Sequence, residues 1–153
     1  MRPILLASDH AGFALKEDLK LYLEKKGIKT KDYGTYSIDS CDYPVYAYAL
    51  AKDISKKKYS RGILICKTGI GNSIVANRLP GVRASLCYNV EAAKLTRQHN
   101  DSNVLVLGSG FVNKKKAKEI LDVWLTTEFE GGRHKRRLNL IKAIERQIGA
   151  KVK

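Results

Sequence analysis

The stretch ILICKTGIGNSI, residues 63–74, joins an apolar run to a helical pattern through two glycines. Ile63 to Cys66 has no polar break, which is the pattern of a strand buried on both faces. Gly69 and Gly71 follow, with Thr68 and Ser73 beside them, and from there the spacing turns helical. A strand that passes into a helix across glycines can do three things. Its backbone N–H groups can turn inward around an anionic oxygen, with the positive end of the helix behind them. Its cysteine, held just before the helix, can work as a thiolate. Or Cys66 is a small buried residue finishing a strand, and the glycines only make a turn. The stretch is neither a GxxxxGK(S/T) phosphate loop nor a GxGxxG dinucleotide turn. The residues alone leave all three readings open.

The same alternation repeats on both sides. PILLAS, residues 3–8, predicts a strand, and FALKEDLKLYLEKK a helix that Gly27 stops as a C-cap glycine does. IKTKDYG, 28–34, predicts a second strand, and 35–44 a loop. Pro44 suits the first turn of the next helix. After the 61–66 strand, GNSIVANRL (71–79) predicts a helix ended by Pro80-Gly81. VRASLC (82–87), a helix over about 90–98 and NVLVLG (103–108) follow. Ala117, Ile120, Leu121, Trp124 and Leu125 share one face of a helix drawn from residues 113–129. A last helix runs from about 133 to 149. Five short apolar runs separated by helices predict an α/β fold, with a parallel sheet covered on both faces. In such sheets ligands bind beyond the carboxyl ends of the strands. Those ends are Ser8-Asp9-His10, Gly34, Cys66-Lys67-Thr68, Cys87 and Gly108.

Bulk composition narrows the classes. The 153 residues suit a single domain, and no long uncharged apolar run predicts a membrane span. The N-terminal run meets Asp9 too early for a signal peptide. Three separated cysteines argue against a disulfide framework and for a reducing cytosol, and no CxxC or HxxxH spacing predicts zinc. Cys41 and Cys87 read as structural. Lys+Arg 29 against Asp+Glu 15 gives a formal charge of +14. That field attracts anions such as sugar phosphates, nucleotides or RNA, or it reflects lysines that solvate helix faces.

Three further clusters carry chemistry or have plain readings. Asp9-His10 is an acid and an imidazole at a strand end, or a helix cap beside a surface histidine. RQHND, 97–101, puts His99 and Asn100 at the rim of the crevice, or is a helix stop and turn. In EGGRHKRR, Arg133 and Arg137 are four apart and, if helical, could clamp one phosphate from one side. The alternative is a basic face in solvent. This arm lies outside the βα alternation and can reach a neighbouring subunit.

SDHAGFALK, DYG, DYP, GILICKTGIGNSIVAN, GVRASLC, RQHNDSNVLVLG and EGGRHKRR, in that order from about residue 3 to 146, resemble the ribose-5-phosphate isomerase B family. That family also holds galactose-6-phosphate isomerase subunits and allose-6-phosphate isomerase. The resemblance implies a Rossmann-like three-layer α/β/α sandwich with a five-stranded parallel sheet plus a C-terminal helix. It implies a homodimer, sometimes a homotetramer, with shared active sites, and metal-free aldose–ketose interconversion without a cofactor. Carried over residue by residue, Cys66 takes the C2 proton and His99 moves the ring proton. Thr68 shuttles a proton between oxygens, and the N–H groups of Gly69, Ile70, Gly71, Asn72 and Ser73 hold the enediolate. Asp9 and Asn100 hold sugar hydroxyls, and Tyr43 lines the pocket. His10, Arg133 and Arg137 meet the phosphate, the arginines from the partner subunit.

Three positions part from the family pattern. Lys67 stands where the loop is usually small or neutral; it either favours a thiolate at Cys66 or points outward. Asn72 stands at a usually apolar place and could contact a sugar hydroxyl. Gly110 stands where many members carry an arginine near the phosphate, a role that Arg136 or Lys135 could take. A hexose 6-phosphate substrate is the rival within the class. An RNA- or nucleotide-binding module is the rival outside it, but no RNA-recognition signature supports that.

Overall fold

A computed structural model describes the backbone of residues 2–152 and the side chains through residue 149. The elements run β1 (Ile4–Ser8), α1 (Phe13–Lys25), β2 (Thr30–Asp32), α2 (Tyr43–Ser55), β3 (Gly62–Cys66), α3 (Ile70–Ala76), β4 (Ala84–Leu86), α4 (Val90–Asn100), β5 (Val104–Gly108), α5 (Lys114–Thr126) and α6 (Arg133–Val152). The five strands form one sheet in the order β2-β1-β3-β5-β4, and every pairing is parallel.

The three central strands are buried along their whole length, which is why they read as unbroken apolar runs. Side chains alternate between the two faces. Leu6, Ile63, Ile65, Leu105 and Leu107 pack with α1, α4 and α5, where Leu19, Leu23, Ile120 and Trp124 meet them. Leu5, Ala7, Leu64, Val104 and Val106 pack with α2 and α3 through Ala47, Leu50, Ala51 and Ala76. Each fully buried aliphatic side chain contributes about 1.5–3 kcal/mol, so this double core holds the strand ends in place. Trp124, also fully buried, satisfies its indole by donating to Ser102 Oγ at 3.2 Å.

Several boundaries differ from the sequence reading. The edge strands β2 and β4 are three residues each, shorter than the segments 28–34 and 82–87, and each pairs with its one neighbour over those three residues. α3 begins one residue earlier than the pattern and ends at Ala76. There Asn77 turns its amide out of the helix, accepting from Ala84 N–H at 2.8 Å and donating to Ala84 O at 2.9 Å. α4 continues through His99 and Asn100, and Asp101 closes it in the left-handed region.

Lys16 is fully buried and would be untenable alone. Its ammonium meets Asp32 at 2.6 Å and Glu17 at 2.9 Å. Burial by itself would push the Asp32 carboxyl up, but donors from Lys16, the Gly34 N–H and Lys20 outweigh it and hold the group below its ordinary value. This pair fixes α1 against β2, just beside the loop that carries Asp9 and His10.

Candidate active site

The connections after β1 and β3, which are neighbouring strands, leave for opposite faces of the sheet: α1 packs on one and α3 on the other. That divergence opens a crevice at their carboxyl ends. A pocket of about 410 Å³ lies there, with Asp9, Cys66, Lys67 and Thr68 on its walls, Tyr43 and Gly71 to one side, and Ile70 and Ile74 at its rim.

Cys66 ends β3 and is 4% exposed. Its Sγ accepts the Gly69 N–H at 3.2 Å, so a fixed backbone dipole faces the sulfur. Gly69 sits at φ +81°, and a Cβ there would stand 2.4 Å from Leu86 Cδ1. Only glycine makes this turn without moving β4. The Tyr43 ring rests directly on Gly71, where an added Cβ would fall 2.5 Å from Cζ. Asp9 combines the two roles the sequence offered. Its Oδ1 accepts the Gly12 N–H at 3.0 Å and shapes the entry to α1, while the carboxylate also lines the pocket. His10 Nδ1 accepts the Cys41 N–H at 3.2 Å, which leaves the proton of a neutral ring on Nε2. Cys41 thus contributes through its backbone, which no sequence pattern signalled.

The turn offers fewer free N–H groups than expected. Of the five N–H groups from Gly69 to Ser73, three are committed: Gly69 to Cys66 Sγ, Ile70 to Thr68 Oγ1 at 3.1 Å, and Ser73 to Gly69 O at 3.1 Å. Among the described residues only the Gly71 and Asn72 N–H groups of this turn lack a partner within the chain. Ser73 Oγ also folds back onto Ile70 O at 2.8 Å. Thr68 Oγ1 accepts from Ile70, so its own O–H proton remains free to donate. The Thr68 carbonyl is held by Tyr88 OH at 2.7 Å. The Asn72 side chain does not line the pocket; it is 1% exposed, and its Nδ2 has no partner among the described residues.

The remaining expected residues lie elsewhere. α4 and α5 each run back from the carboxyl end of the sheet to its amino end. His99 and Asn100 therefore stand just before β5, at the amino end. Five strand residues span roughly 17 Å, so within one protomer they do not reach the rim of the Cys66 crevice, contrary to the sequence expectation. Arg83 holds this end together, donating to Asn100 O at 2.9 Å and Asp101 O at 2.9 Å. The start of α6 joins it there. His134 is buried and stacks on His99 with ring centroids 4.3 Å apart and planes 12° apart. Burial, then the neighbouring His99 and Arg133, push the His134 imidazole below its ordinary value. Arg133 and Arg137 are exposed, and neither forms an ion pair among the described residues.

His134 lies within EGGRHKRR, and its place beside Arg133 on the same helical turn is its one signal in the sequence. With Glu130 it also brings three metal-ligating groups together, donor atoms all within 4.8 Å of one another. Their separation in sequence hid that grouping. The two rings face each other, however, and an imidazole binds a metal in its own plane, so this arrangement does not present both nitrogens to one ion. Cys87 is 1% exposed in the core, and burial pushes its thiol up to about 12. Its structural reading fits that environment.

Residues 4–141 match the family described as Ribose/Galactose Isomerase. The chain is 44% identical over 147 residues to ribose-5-phosphate isomerase B of Escherichia coli (strain K12), covering 96% of this chain and 99% of that protein. The structure of ribose-5-phosphate isomerase B from Clostridium thermocellum matches with a TM-score of 0.94 at 41% identity, covering 96% of this chain and 99% of that one. Ribose-5-phosphate isomerase B from Mycoplasma genitalium, solved with bound ribulose-5-phosphate, matches with a TM-score of 0.90 at 40% identity, covering 94% and 96%. The likeness extends over nearly the full length in both sequence and fold, and the chain belongs to the ribose/galactose isomerase family.

Proposed function

We propose that this protein is an aldose–ketose isomerase that interconverts ribose 5-phosphate and ribulose 5-phosphate through a cis-enediolate, as one isomerase domain. Two copies complete each site: the carboxyl-end pocket of one protomer receives His99, Asn100, Arg133 and Arg137 from the other. The observation that carries this reading is the pairing of Cys66 with two uncommitted N–H groups, Gly71 and Asn72, beside one pocket. Exposed apolar residues Ile70 and Ile74 at that pocket, Val45 and Tyr48 on α2, and Leu140, Ile141, Ile144 and Ile148 on α6 supply surfaces for such an assembly. No helix among the described residues is long and apolar enough to cross a membrane. That, the free cysteines and the phosphosugar chemistry support a cytoplasmic place in pentose phosphate metabolism.

The chemistry divides between the two ends. The partner's His99 moves the proton that opens the sugar ring, while Asn100 and Asp9 hold hydroxyls. The Cys66 thiolate removes the proton on C2, which is acidified by the C1 carbonyl. The C–H electron pair becomes the C1–C2 double bond, and the carbonyl pair moves onto O1. The Gly71 and Asn72 N–H groups stabilise that negative oxygen as an oxyanion hole does. Thr68 passes the O2 proton to O1, and the Cys66 thiol returns its proton to C1, giving the ketose. His10, Arg133 and Arg137 bind the phosphate at the far end. The test is an isomerase assay on Cys66→Ala and Cys87→Ala. Cys66→Ala is expected to lose about 100- to 10,000-fold in turnover, and Cys87→Ala to keep it. Near wild-type turnover by Cys66→Ala would remove the base assignment.

A further inference from the structure

The pocket beside Cys66 has one cationic side chain on its wall, Lys67. Its stem is seated rather than free. A Cβ built on Gly110 would lie 3.0 Å from Lys67 Cε, 3.2 Å from its Cδ and 3.1 Å from its carbonyl oxygen. The absence of a side chain at 110 is therefore what gives the lysine its bed. Two backbone bonds clip the same loop to the strand end: Ser109 N–H to Cys66 O and Gly110 N–H to Lys67 O, both at 2.9 Å. The Lys67 ammonium forms no ion pair with a carboxylate among the described residues, although Asp9 shares the pocket.

The direction of the stem decides what the charge serves. Gly71 and Asn72, whose N–H groups are uncommitted, lie on the α3 side of the strand end. Lys67 instead runs onto the loop after β5. That loop is tied to the loop after β1, where Ser109 Oγ donates to Ala11 O at 2.9 Å, next to His10. The lysine thus lies over the loop that touches Ala11, the residue after His10.

We infer that Lys67, laid over Gly110, is a substrate-binding residue that holds the phosphate group of the sugar on the His10 side of the pocket. The inference rests on the isomerase reading and deepens it. A seated stem removes part of the rotamer entropy that a free lysine would lose on binding. The ammonium then makes charge-assisted hydrogen bonds to phosphate oxygens. One chain contributes Lys67 and His10 to the phosphate while the partner contributes arginines, so the substrate is gripped from both sides.

Steady-state kinetics with ribose 5-phosphate and inhibition by inorganic phosphate, on wild type, Lys67→Gln and Gly110→Ala, test it. Lys67→Gln is expected to raise KM and the phosphate inhibition constant together, by about 5- to 20-fold, with kcat changed less than about threefold. Gly110→Ala keeps the charge but dislodges the stem, and is expected to move both constants in the same direction by less. Unchanged KM and phosphate inhibition in Lys67→Gln would overturn the inference. So would a fall in kcat with both constants unchanged, since the lysine would then act on the reacting carbons. A wild type without isomerase turnover would instead refute the parent reading. Calorimetric titration of inorganic phosphate then decides for Lys67: weaker binding in Lys67→Gln than in wild type supports the inference, and equal binding overturns it.

Discussion

The carboxyl and amino ends of the sheet are built differently. At the carboxyl end the polar groups are pinned by backbone N–H donors: Gly69 N–H on Cys66 Sγ and Gly12 N–H on Asp9 locally, and Cys41 N–H on His10 from a distant loop. These groups sit in a crevice where strand ends cannot move without disturbing the double core. At the amino end Arg83 secures the backbone around Asn100 and Asp101, and His134 backs His99. Yet the side chains of Asn100, Arg133 and Arg137 stand out exposed. Under the proposed mechanism one end supplies the base and the oxyanion hole, and the other supplies the ring-opening imidazole and the arginines. The lesson is that residues expected together in one site can fold to opposite ends of one chain.

Substitutions can break that contrast from either side. The largest effect at the amino end is expected from His99→Ala, a loss of about 100-fold in turnover of ribose 5-phosphate. Thermal stability should hardly change, because the half-buried ring leaves Arg83 and its bonds intact. Retained turnover, measured in the same coupled assay, would show that the amino end takes no part in ring opening. Arg133→Ala and Arg137→Ala should each raise KM about 10-fold with a smaller effect on kcat, since their expected partner is a charged phosphate bound throughout the reaction. Equal KM values for variant and wild type would return both arginines to the status of a solvated face. The smallest effect belongs to the carboxyl end. Asn72→Leu removes a buried amide with an unpaired Nδ2 and should raise stability by about 1 kcal/mol in urea titration. Turnover should stay within about twofold, because the backbone N–H and not the side chain serves the oxyanion. A tenfold loss of turnover would mean that the amide reaches the sugar.

Much of this was readable from the chain itself, and the exceptions have physical causes. Ile63–Cys66 and Val104–Gly108 are buried on both faces, so unbroken apolar runs marked them. β2 and β4 are edge strands of half-buried and exposed residues, so no unbroken apolar run marked where their pairing stops. The turn at Gly69 was visible through its glycines, but the internal use of the Gly69, Ile70 and Ser73 N–H groups was not, since backbone direction leaves no trace in composition. The sequence puts His99 and Asn100 at the crevice rim only if the helix ends there, and α4 instead runs on through both residues. Following the helix back from β4 would have put them at the amino end, since α4 runs antiparallel to its strands. Lys67 and Gly110, separately odd in the sequence, turn out to touch; only the fold brings residues 43 positions apart into one contact.

The division of the site between two chains is tested most directly by mixing two inactive variants. Cys66→Ala lacks the base of the carboxyl end, and His99→Ala lacks the imidazole of the amino end. Co-refolded in equal amounts, random pairing puts half of the dimers in mixed form, each with one site that has both groups and one with neither. The expected result is recovery to about one quarter of wild-type isomerase activity. A mixture as inactive as its components, with exchange of chains verified, would contradict the account, because Cys66 and His99 would then have to serve the same site from the same chain.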